Sequence, residues 1–481
     1  MTRELLLLNI VFVPVLGAFL LPSLERISKR FRDLSALTFV GISFVFTLCL
    51  APGVLAGKTV VIAKYLPLGF NLILRADGLA VFMAAVSSFI SALIVLYSFG
   101  YISHYENQNE YYFLVVLFLG SMMGLVFSAN LIFLYLFWEL TAITSWRLIG
   151  FFREKNHVIR ADKSFLVTVF GALVMLLGFI GLYQQTGSFD LTVIRETLKT
   201  NPVSDLTVLL ILIGILSKSA TLPFHTWLPD AGVAPSPVTA LLHAAVLVKI
   251  GVYVFARLFI ATFALNEFWH GTMALIAAAS VIVAAGAALI ETDLKRIIAY
   301  STVSQIGFIF FGFALGTEIG IAGALLFILT HGLAKAGLFL CAGVVEQNSK
   351  NRDITRLGGL IKTMPVTALT FLICAFAIMG IPPLGGFFSK YMVFMGALQG
   401  GYVGLALIFL GGAFLTILYL FRAFNAVFLG EMKTPVAQEG SKIMLLTLIV
   451  FAALSVAVGV FIPYFSGIVR TVTQQMLGII R

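Results

Sequence analysis

A glutamate and a lysine stand inside long apolar segments of this sequence. Glu139 lies in the stretch Phe-Trp-Glu-Leu, and Lys218 lies in Leu-Ser-Lys-Ser, about one helical turn before Pro223. A lysine removed from water tends to lose its proton, and a nearby carboxylate makes it hold the proton. The sequence therefore predicts a Glu139–Lys218 switch. Lys218 keeps its proton while the pair is closed and passes the proton on when the pair opens.

Further ionisable residues recur in the later apolar segments. Lys249 follows His243 by six residues, and His331 and Lys335 stand four residues apart, so that these last two share one helix face. Histidine titrates near neutral pH and suits a proton relay. A buried histidine bonded to a backbone carbonyl is the alternative interpretation for His243.

Lys390 completes this series. It follows a second helix break, at Pro382 and Pro383, and is predicted to be the counterpart of Lys218 in a second structural unit. A charge at the centre of a bilayer costs at least about 2.5 kcal/mol, so each of these residues is a functional candidate by default. Together they predict a polar axis at mid-membrane along which protons move through water. The side chains expected to hold this water are Ser217, Ser219, Thr221, Ser301, Ser304, Gln305 and Thr330.

Other charges lie near the predicted membrane boundaries. Asp77 is expected to cap the third span. His225 and Asp230 flank the first helix break, where they are candidates for lining a route from the cytoplasm. Arg257 and Arg422 are expected to extend from span ends with their charged heads in water. A cytoplasmic loop is predicted to hold Asp293, Lys295 and Arg296.

The elements that must position these residues are transmembrane helices. The chain has 481 residues, of which 60% are hydrophobic and 11% charged, whereas a soluble domain has about 25% charged residues. Its apolar runs are long enough to cross about 30 Å of hydrocarbon, and they lack the alternation of a transmembrane barrel. We predict an all-α integral membrane protein with about fourteen transmembrane helices. The predicted spans are residues 4–22, 34–53, 77–100, 111–128, 130–152, 164–184, 205–229, 237–263, 271–290, 296–315, 318–346, 365–398, 402–429 and 443–464.

The start of the chain, its charge and its cysteines argue against other classes. Residues 4–22 lack the pattern of a cleavable signal peptide and are interpreted as the first span. The net charge of +10 is assigned to loops that orient the helices, and not to nucleic-acid binding. Cys49, Cys341 and Cys374 form no CxxC pair, which argues against a disulfide framework, an iron–sulfur cluster or a zinc site. All three are expected to be small core residues, and no cofactor is predicted.

The two helix breaks divide the predicted spans into two related units. They fall in spans 7 and 12, five spans apart, so the units enter the membrane in opposite directions. Inverted repeats of this kind place discontinuous helices at a central ion site. The first predicted repeat is residues 111–263 (spans 4–8), and the second is residues 271–429 (spans 9–13). Residues 1–110 precede them and contain spans 1–3, with a hairpin outside the bilayer at 55–76 that includes Gly57, Pro67 and Gly69. Residues 430–481 follow them and contain span 14 and a surface helix at 465–481.

Lysine and arginine residues set the predicted orientation. Basic clusters follow spans 1, 5 and 11, and by the positive-inside rule their side is cytoplasmic. Both termini then face outward from a prokaryotic plasma membrane, and the hairpin, with Lys58, Lys64 and Arg75, is the main outside exception. The clusters are Arg26, Lys29, Arg30 and Arg32; Arg153, Lys155, Arg160 and Lys163; and Lys350, Arg352, Arg356 and Lys362.

The series of motifs resembles one family, the antiporter-like subunits of respiratory complex I, Mrp-type sodium/proton antiporters and membrane-bound hydrogenases. Each short motif alone is weak, but the series runs in order across roughly residues 75–430 and is specific. The matching segments are 138–140 (WEL), 218–231 (KSATLPFHTWLPDA), 242–249 (LHAAVLVK), 293–307 (beginning DLKR), 331–336 (HGLAKA) and 383–390 (PLGGFFSK).

The resemblance implies fourteen spans in two inverted repeats and a proton axis of four charged positions, in spans 5, 7, 8 and 12. Glu139, Lys218, Lys249 and Lys390 stand at those positions. Arg147 departs from the family pattern, which usually has an uncharged residue there. It lies two helical turns, about 12 Å, beyond Glu139 on the same face. Arg147 is expected either to extend to the cytoplasmic side or to compete with Lys218 for Glu139.

The resemblance also implies a place in a larger membrane complex. The implied partners are other membrane subunits, including related antiporter-like subunits, and the implied ions are protons, with or without sodium. In a respiratory complex this chain would be a non-redox, ion-translocating subunit of an oxidoreductase. One alternative is a self-sufficient cation/proton antiporter with a substrate cavity at the breaks. Another is a redox subunit that binds quinone or haem, for which His225, His243 and His331 are the candidate axial ligands.

Overall fold

The computed structural model describes residues 1–66, 70–436 and 438–479. These residues are predominantly helical, and twelve of their helices are long and apolar enough to cross a membrane. This confirms the predicted class of an all-α, multi-pass membrane protein. The count of fourteen spans and the boundaries of the four parts stay predictions. Pro67 and Gly69, which belong to the predicted hairpin, lie outside the described residues.

The elements follow one another along the chain as helices with one two-stranded sheet near the N-terminus. They are α1 (Arg3–Leu24), α2 (Lys29–Leu55), β1 (Val60–Lys64), β2 (Leu72–Ala76), α3 (Gly78–Tyr101), α4 (Gln108–Phe127), α5 (Leu131–Ile149), α6 (Lys155–Thr186), α7 (Leu191–Thr197), α8 (Asp205–Lys218), α9 (Trp227–Asp230), α10 (Ser236–Ala240), α11 (Leu247–Phe259), α12 (Glu267–Ile290), α13 (Leu294–Ala314), α14 (Glu318–Ser349), α15 (Pro365–Met379), α16 (Gly385–Gln399), α17 (Val403–Phe428), α18 (Lys442–Val460) and α19 (Ile462–Met476).

The segment between α2 and α3 forms the predicted hairpin. β1 and β2 are antiparallel, with Val60 opposite Ala76, and β1 is rich in the β-branched residues that favour sheets. Asp77 follows β2 directly, and its carboxylate accepts a hydrogen bond from the amide of Ala80 at 3.0 Å. The predicted capping role of Asp77 is confirmed, and the cap fixes where α3 begins.

Two pairs of short helices take the places of predicted spans 7 and 12. α8 ends at Lys218 and α9 begins only at Trp227, while α15 ends at Met379 and α16 begins at Gly385. Each gap contains a cis proline peptide. Proline lacks the amide hydrogen that would continue a helical ladder. Both predicted helix breaks are therefore confirmed.

The eighth span, predicted without a break at residues 237–263, is not a regular helix. A π-helical turn, Leu241–Ala245, separates α10 from α11 and contains His243. π-turns inside α-helices occur frequently at functional sites. The expectation of an unbroken helix is wrong here, and the break falls at one of the predicted proton carriers.

α14 lies at the centre of the packing and carries His331 and Lys335. It contacts α13, α15, α16, α18 and α19, and most of its residues are buried. The helix predicted for the tail begins earlier than expected, at Ile462, and packs against α3 and α14. The second predicted repeat thus surrounds a helix that is shielded over most of its length.

Several charges expected in loops lie inside helices, and two of them, Lys295 and Arg32, are buried. Lys295 and Arg296 belong to the first turn of α13, where the side chain of Lys295 is only 1% exposed. Arg32, assigned to the loop after span 1, lies in α2 and is fully buried beside Glu25 and Asp33. Hydrogen bonds to these carboxylates offset the cost of burying the guanidinium.

Arg257 does not extend into water as expected. Its guanidinium donates two hydrogen bonds to the carboxylate of Asp77, at 2.5 and 2.8 Å, and its side chain is nearly buried. A planar, bidentate pair of this kind compensates a buried charge well. Arg422 lies near the end of α17, half-buried, and donates to the backbone carbonyl of Glu291 at 2.9 Å.

The cysteines confirm the core prediction in part. Cys341 and Cys374 are buried, as expected for small core residues, but Cys49 is exposed on α2. Val45 and Leu48, on the same helix, are also exposed. This face of α2 is apolar and outward, so Cys49 belongs to the surface of the helix bundle and not to its core.

Candidate functional site

The two switch residues approach each other through α5. Lys218, the last residue of α8, is fully buried, and its Nζ donates to the backbone carbonyl of Trp138 at 3.2 Å. Glu139 follows Trp138 at the middle of α5, and its Oε1 is buried without a hydrogen-bond partner among the described residues. The carboxylate and the ammonium form no ion pair in the described part of the chain. The geometry corresponds to the open arrangement of the predicted pair, and the switch itself stays a prediction.

Lys390 is held by the end of a neighbouring half-helix. It lies in α16, after the break, and its Nζ donates to the carbonyl of Ile378, at 2.7 Å, in the last turn of α15. Lys218 instead ends the half-helix before its own break. The two lysines are thus not equivalent in chain position. The ammonium of Lys390 lies at the C-terminal end of α15, where unpaired carbonyls favour a cation, whereas that of Lys218 is held by a carbonyl in the middle of α5.

Lys249 is buried where α11 meets α14. Its Nζ donates to the carbonyl of Ile328 at 2.8 Å, three residues before His331. Gly332 lies beside this ammonium, and a Cβ on Gly332 would collide with the Nζ of Lys249. The glycine therefore leaves the space that lets the lysine reach the backbone of α14.

Lys335 lies on α14, and His243, in the π-helical turn, packs against the same helix. The Nζ of Lys335 donates to the carbonyl of Ile298 at 3.0 Å, and the ring of His243 lies 4.4 Å from that of Phe339, one turn beyond Lys335. In the described residues, neither ring nitrogen of His243 or of His331 has a protein partner. His243 is therefore not bonded to a backbone carbonyl, the alternative considered above.

Aromatic rings lie between Lys390 and His331. The Nζ of Lys390 lies 4.6 Å from the ring centre of Phe308 and 5.7 Å from that of Phe327. The ring of Phe327 is in turn 6.0 Å from that of His331. A cavity of ≈ 240 Å³ adjoins Lys390. The four lysines Lys218, Lys249, Lys335 and Lys390 are called the lysine axis below.

The hydroxyl and amide groups that were predicted to hold water along the axis make hydrogen bonds to other protein groups. Ser301 accepts a hydrogen bond from Tyr419 at 2.7 Å, and Gln305 donates to Thr416 at 3.2 Å. These partners lie on α17 and were missed from the sequence. Other predicted groups, Ser217, Ser219 and Ser304, bond to helix carbonyls, and Thr330 is 3.1 Å from the Ser389 hydroxyl.

Arg147 contacts neither member of the switch. It lies in the last turn of α5 and pairs with Glu110 in the first turn of α4, and Arg153 binds the same carboxylate at 2.6 Å. An acid at a helix N-terminus and a base at a helix C-terminus both complement the helix dipole. This placement gives Arg147 a partner other than Glu139.

Asp230 joins the two predicted repeats. Its carboxylate accepts hydrogen bonds at 2.7 Å from Lys163 on α6 and from Arg296 on α13. Burial raises the pKa of Asp230, but the hydrogen bonds from Lys163 and Arg296 outweigh burial and hold the pKa below its ordinary value. Nearby His225 is half-buried, with its Nδ1 unpartnered in the described structure.

Sequence reasoning missed the charged pair formed by Lys295 and Glu346. Lys295 on α13 and Glu346 on α14 form an ion pair at 2.6 Å, and Arg352 lies 3.7 Å from the same carboxylate. Glu346 is the last residue of a predicted span, at 318–346, and Lys295 was placed in a loop. The sequence did contain a signal for this pair, namely an acidic residue at the end of one apolar run and a lysine at the start of the preceding helix.

The fold and these side chains define a multi-pass helical membrane protein with interrupted helices and buried lysines. Residues 128–416 match the family described as NADH:quinone oxidoreductase/Mrp antiporter, transmembrane, and residues 65–112 match the N-terminus of chain 5 of NADH–ubiquinone oxidoreductase (complex I). The chain belongs to the complex I/Mrp antiporter family of membrane subunits. This confirms the resemblance inferred from its motifs.

Curated relatives include Na⁺/H⁺ antiporter subunit A1 of Staphylococcus haemolyticus and of Staphylococcus aureus. Each is 34% identical over 485 residues, covering 94% of this chain and 60% of the relative. The chain thus spans 60% of the length of these relatives.

Two solved complexes contain chains with the same fold. One is the Mrp complex from Dietzia sp., with a TM-score of 0.91 at 22% identity, covering 99% of this chain and 98% of that chain. The other is the membrane-bound sulfane sulfur reductase, an archaeal respiratory membrane complex, with a TM-score of 0.90 at 23% identity and the same coverage. At this identity the likeness establishes the shared fold.

Proposed function

We propose that this chain is the proton-translocating, antiporter-like subunit of a membrane complex, and that protons move along the lysine axis. One observation carries the proposal. Each of the four ammonium groups is held by a backbone carbonyl, and none forms an ion pair within the described residues. A lysine kept for structure would need an acidic partner to offset its burial.

A carbonyl partner suits a group that changes its protonation state. A neutral amine still has N–H groups to donate, so the hydrogen bond to the carbonyl survives when the proton leaves. An acid partner would instead be left as a buried, unpaired carboxylate, which is costly. The lysine axis can therefore be charged or neutral without large rearrangement of its surroundings.

Neighbouring groups along the axis must titrate as a coupled set. Two ammonium groups in a medium of low dielectric constant repel each other strongly, so a proton on one site disfavours a proton on the next. Glu139 would start this sequence, because its negative charge favours the protonated form of Lys218. His243 and His331 lie between lysines and would carry protons across the gaps through water.

The names of the relatives support an exchange of sodium for protons, and the solved complexes support membrane partners. We propose that the chain assembles with other membrane subunits, including related antiporter-like subunits. It would lie in a prokaryotic plasma membrane with both termini outside, as the basic clusters indicate. In such an assembly it supplies ion movement and leaves any redox chemistry to other subunits.

Purification through a tag on this chain tests the proposal. We expect mass spectrometry to identify other membrane subunits, and the reconstituted complex to move protons across liposomes in response to a sodium gradient, read by a pH-sensitive dye. The chain reconstituted alone should be inactive. Equal activity of the chain alone would favour the self-sufficient antiporter, and a haem absorption band would favour a redox subunit. An intact complex without proton movement would refute the proposal.

A further inference from the structure

We infer that Glu346 and Lys295 form the site where protons pass between water and the lysine axis, and that the path follows one face of α14. The inference rests on the proposed function, since it gives the lysine axis its access to water. It assigns a role to a charged pair that lies apart from the Glu139–Lys218 switch.

Glu346 lies at the wall of a polar cavity of ≈ 550 Å³ on the face of the basic clusters. A polar cavity of this size holds water that bonds to its walls. The other ionisable groups around it are His157, Asp293, Lys350, Arg352 and Asp353, with the phenols of Tyr101 and Tyr105. Side chains of both charges line the cavity, so it attracts water without favouring cations over anions.

The Lys295–Glu346 pair separates this water from the interior. The side chain of Glu346 is 27% exposed and that of Lys295 only 1%. The Nζ of Lys295 also donates to the carbonyl of Ala234 at 3.0 Å. A proton from the cavity that binds the carboxylate of Glu346 neutralises it and weakens the ion pair. Passage of that proton inward through water restores the carboxylate, so the step is balanced.

One face of α14 runs from this pair to the axis. Lys335, Phe339, Gly343 and Glu346 recur at spacings of four, four and three, which places them on one side of the helix. The separation of Lys335 and Glu346 corresponds to about 16 Å along the helix. The cavity thus reaches within a few turns of the lysine axis along a single helix.

The opposite wall of this path is polar and packs closely against α14 at Gly343. Ser236 lies 3.3 Å from the carboxylate of Glu346, and His243 follows two turns later on the same segment. A Cβ on Gly343 would collide with the Cβ of Ser236, at 2.6 Å, and would lie 2.9 Å from the hydroxyl of Tyr97 and 3.0 Å from that of Ser236. The hydroxyls of Tyr97 and Ser236 therefore both approach α14 at Gly343, one turn before Glu346.

The test uses the complex purified through this chain, with sodium-driven proton movement in liposomes as the readout. Gly343→Ala should displace Ser236 and the hydroxyl of Tyr97 from this face and slow proton movement at least tenfold. Glu346→Gln should do the same by removing the carboxylate that would carry the proton. Glu346→Asp should retain much of the rate. Gly286→Ala, on α12 with open space around it, is the neutral control.

Gly337→Ala is the packing control, because a Cβ there would collide with Cys374 on α15, away from this face. Assembled Gly343→Ala and Glu346→Gln complexes that work at the wild-type rate would overturn the inference. So would equal losses in Gly337→Ala and Gly343→Ala, since packing alone would then explain both. A Lys249→Ala variant separates the two ideas. If it is inactive while the Glu346 and Gly343 variants are normal, only the inference fails. If it is fully active, the proposed function fails.

Discussion

Gly332→Ala tests whether the contact between Lys249 and the backbone of α14 matters for transport. The new methyl group would collide with the Nζ of Lys249 and would lie 2.6 Å from Cδ1 of Ile90. The ammonium is flexible and would yield, giving up its 2.8 Å hydrogen bond to the carbonyl of Ile328. We therefore expect Lys249 to lose its defined position while the charge itself remains.

The size of the effect follows from that bond. A hydrogen bond made by a charged group contributes about 1.5–3 kcal/mol, and about 1.4 kcal/mol corresponds to a tenfold change in rate. Gly332→Ala should therefore slow proton movement roughly ten- to hundredfold. Overpacking should also cost about 1–3 kcal/mol of stability. That second effect must be separated from the first.

The assay compares Gly332→Ala with Gly337→Ala in the assembled, reconstituted complex. Both glycines lie on α14, and a Cβ on Gly337 collides with Cys374 and not with a lysine. We expect similar thermal destabilisation of the two variants but a large loss of rate only in Gly332→Ala. Equal transport rates in the two variants would refute the reasoning, because the position of Lys249 would then not limit proton movement.

Three further predictions follow from the site. Glu139→Gln should slow proton movement strongly and Glu139→Asp only mildly; near wild-type rates for both, measured with the pH-sensitive dye, would exclude a switch. Arg147→Leu should lower the melting temperature slightly, through loss of its contact with Glu110, at a cost of about 1 kcal/mol or less, with transport unchanged; a slowed rate in the stable complex would instead indicate coupling to Glu139. Asp230→Asn should destabilise the solubilised complex by about 1 kcal/mol. Because the folded-state pKa of Asp230 lies below its ordinary value of 3.8, this difference should be constant above pH 5 and vanish as pH falls through the lowered pKa. A pH-independent difference in melting temperature would contradict the assignment.

The helices and their breaks were predictable because their signals are local. Apolar runs mark spans, and Pro223, Pro382 and Pro383 mark interruptions, since proline removes a backbone donor. Glu139 and Lys218 stood out because isolated charges are rare in apolar segments. These are properties of a few adjacent residues, so one sequence is enough to read them.

The partners of the charges were not predictable from one sequence. Arg257 looked like a span-end arginine, but Asp77, 180 residues away, accepts its hydrogen bonds. The π-turn around His243 contains neither proline nor glycine, so packing against neighbouring helices must set it. The acceptors of the lysine axis are backbone carbonyls, which every residue has and no motif can mark.

The central claim is tested most directly by Lys218→Ala, with Lys199→Ala as the control. Lys199 is an exposed lysine paired with Glu196 on the surface, so its removal should leave transport unchanged. In the assembled complex, sodium-driven proton movement measured across liposomes should be abolished in Lys218→Ala and normal in Lys199→Ala. Proton movement at the wild-type rate in an assembled Lys218→Ala complex would contradict transport along the lysine axis.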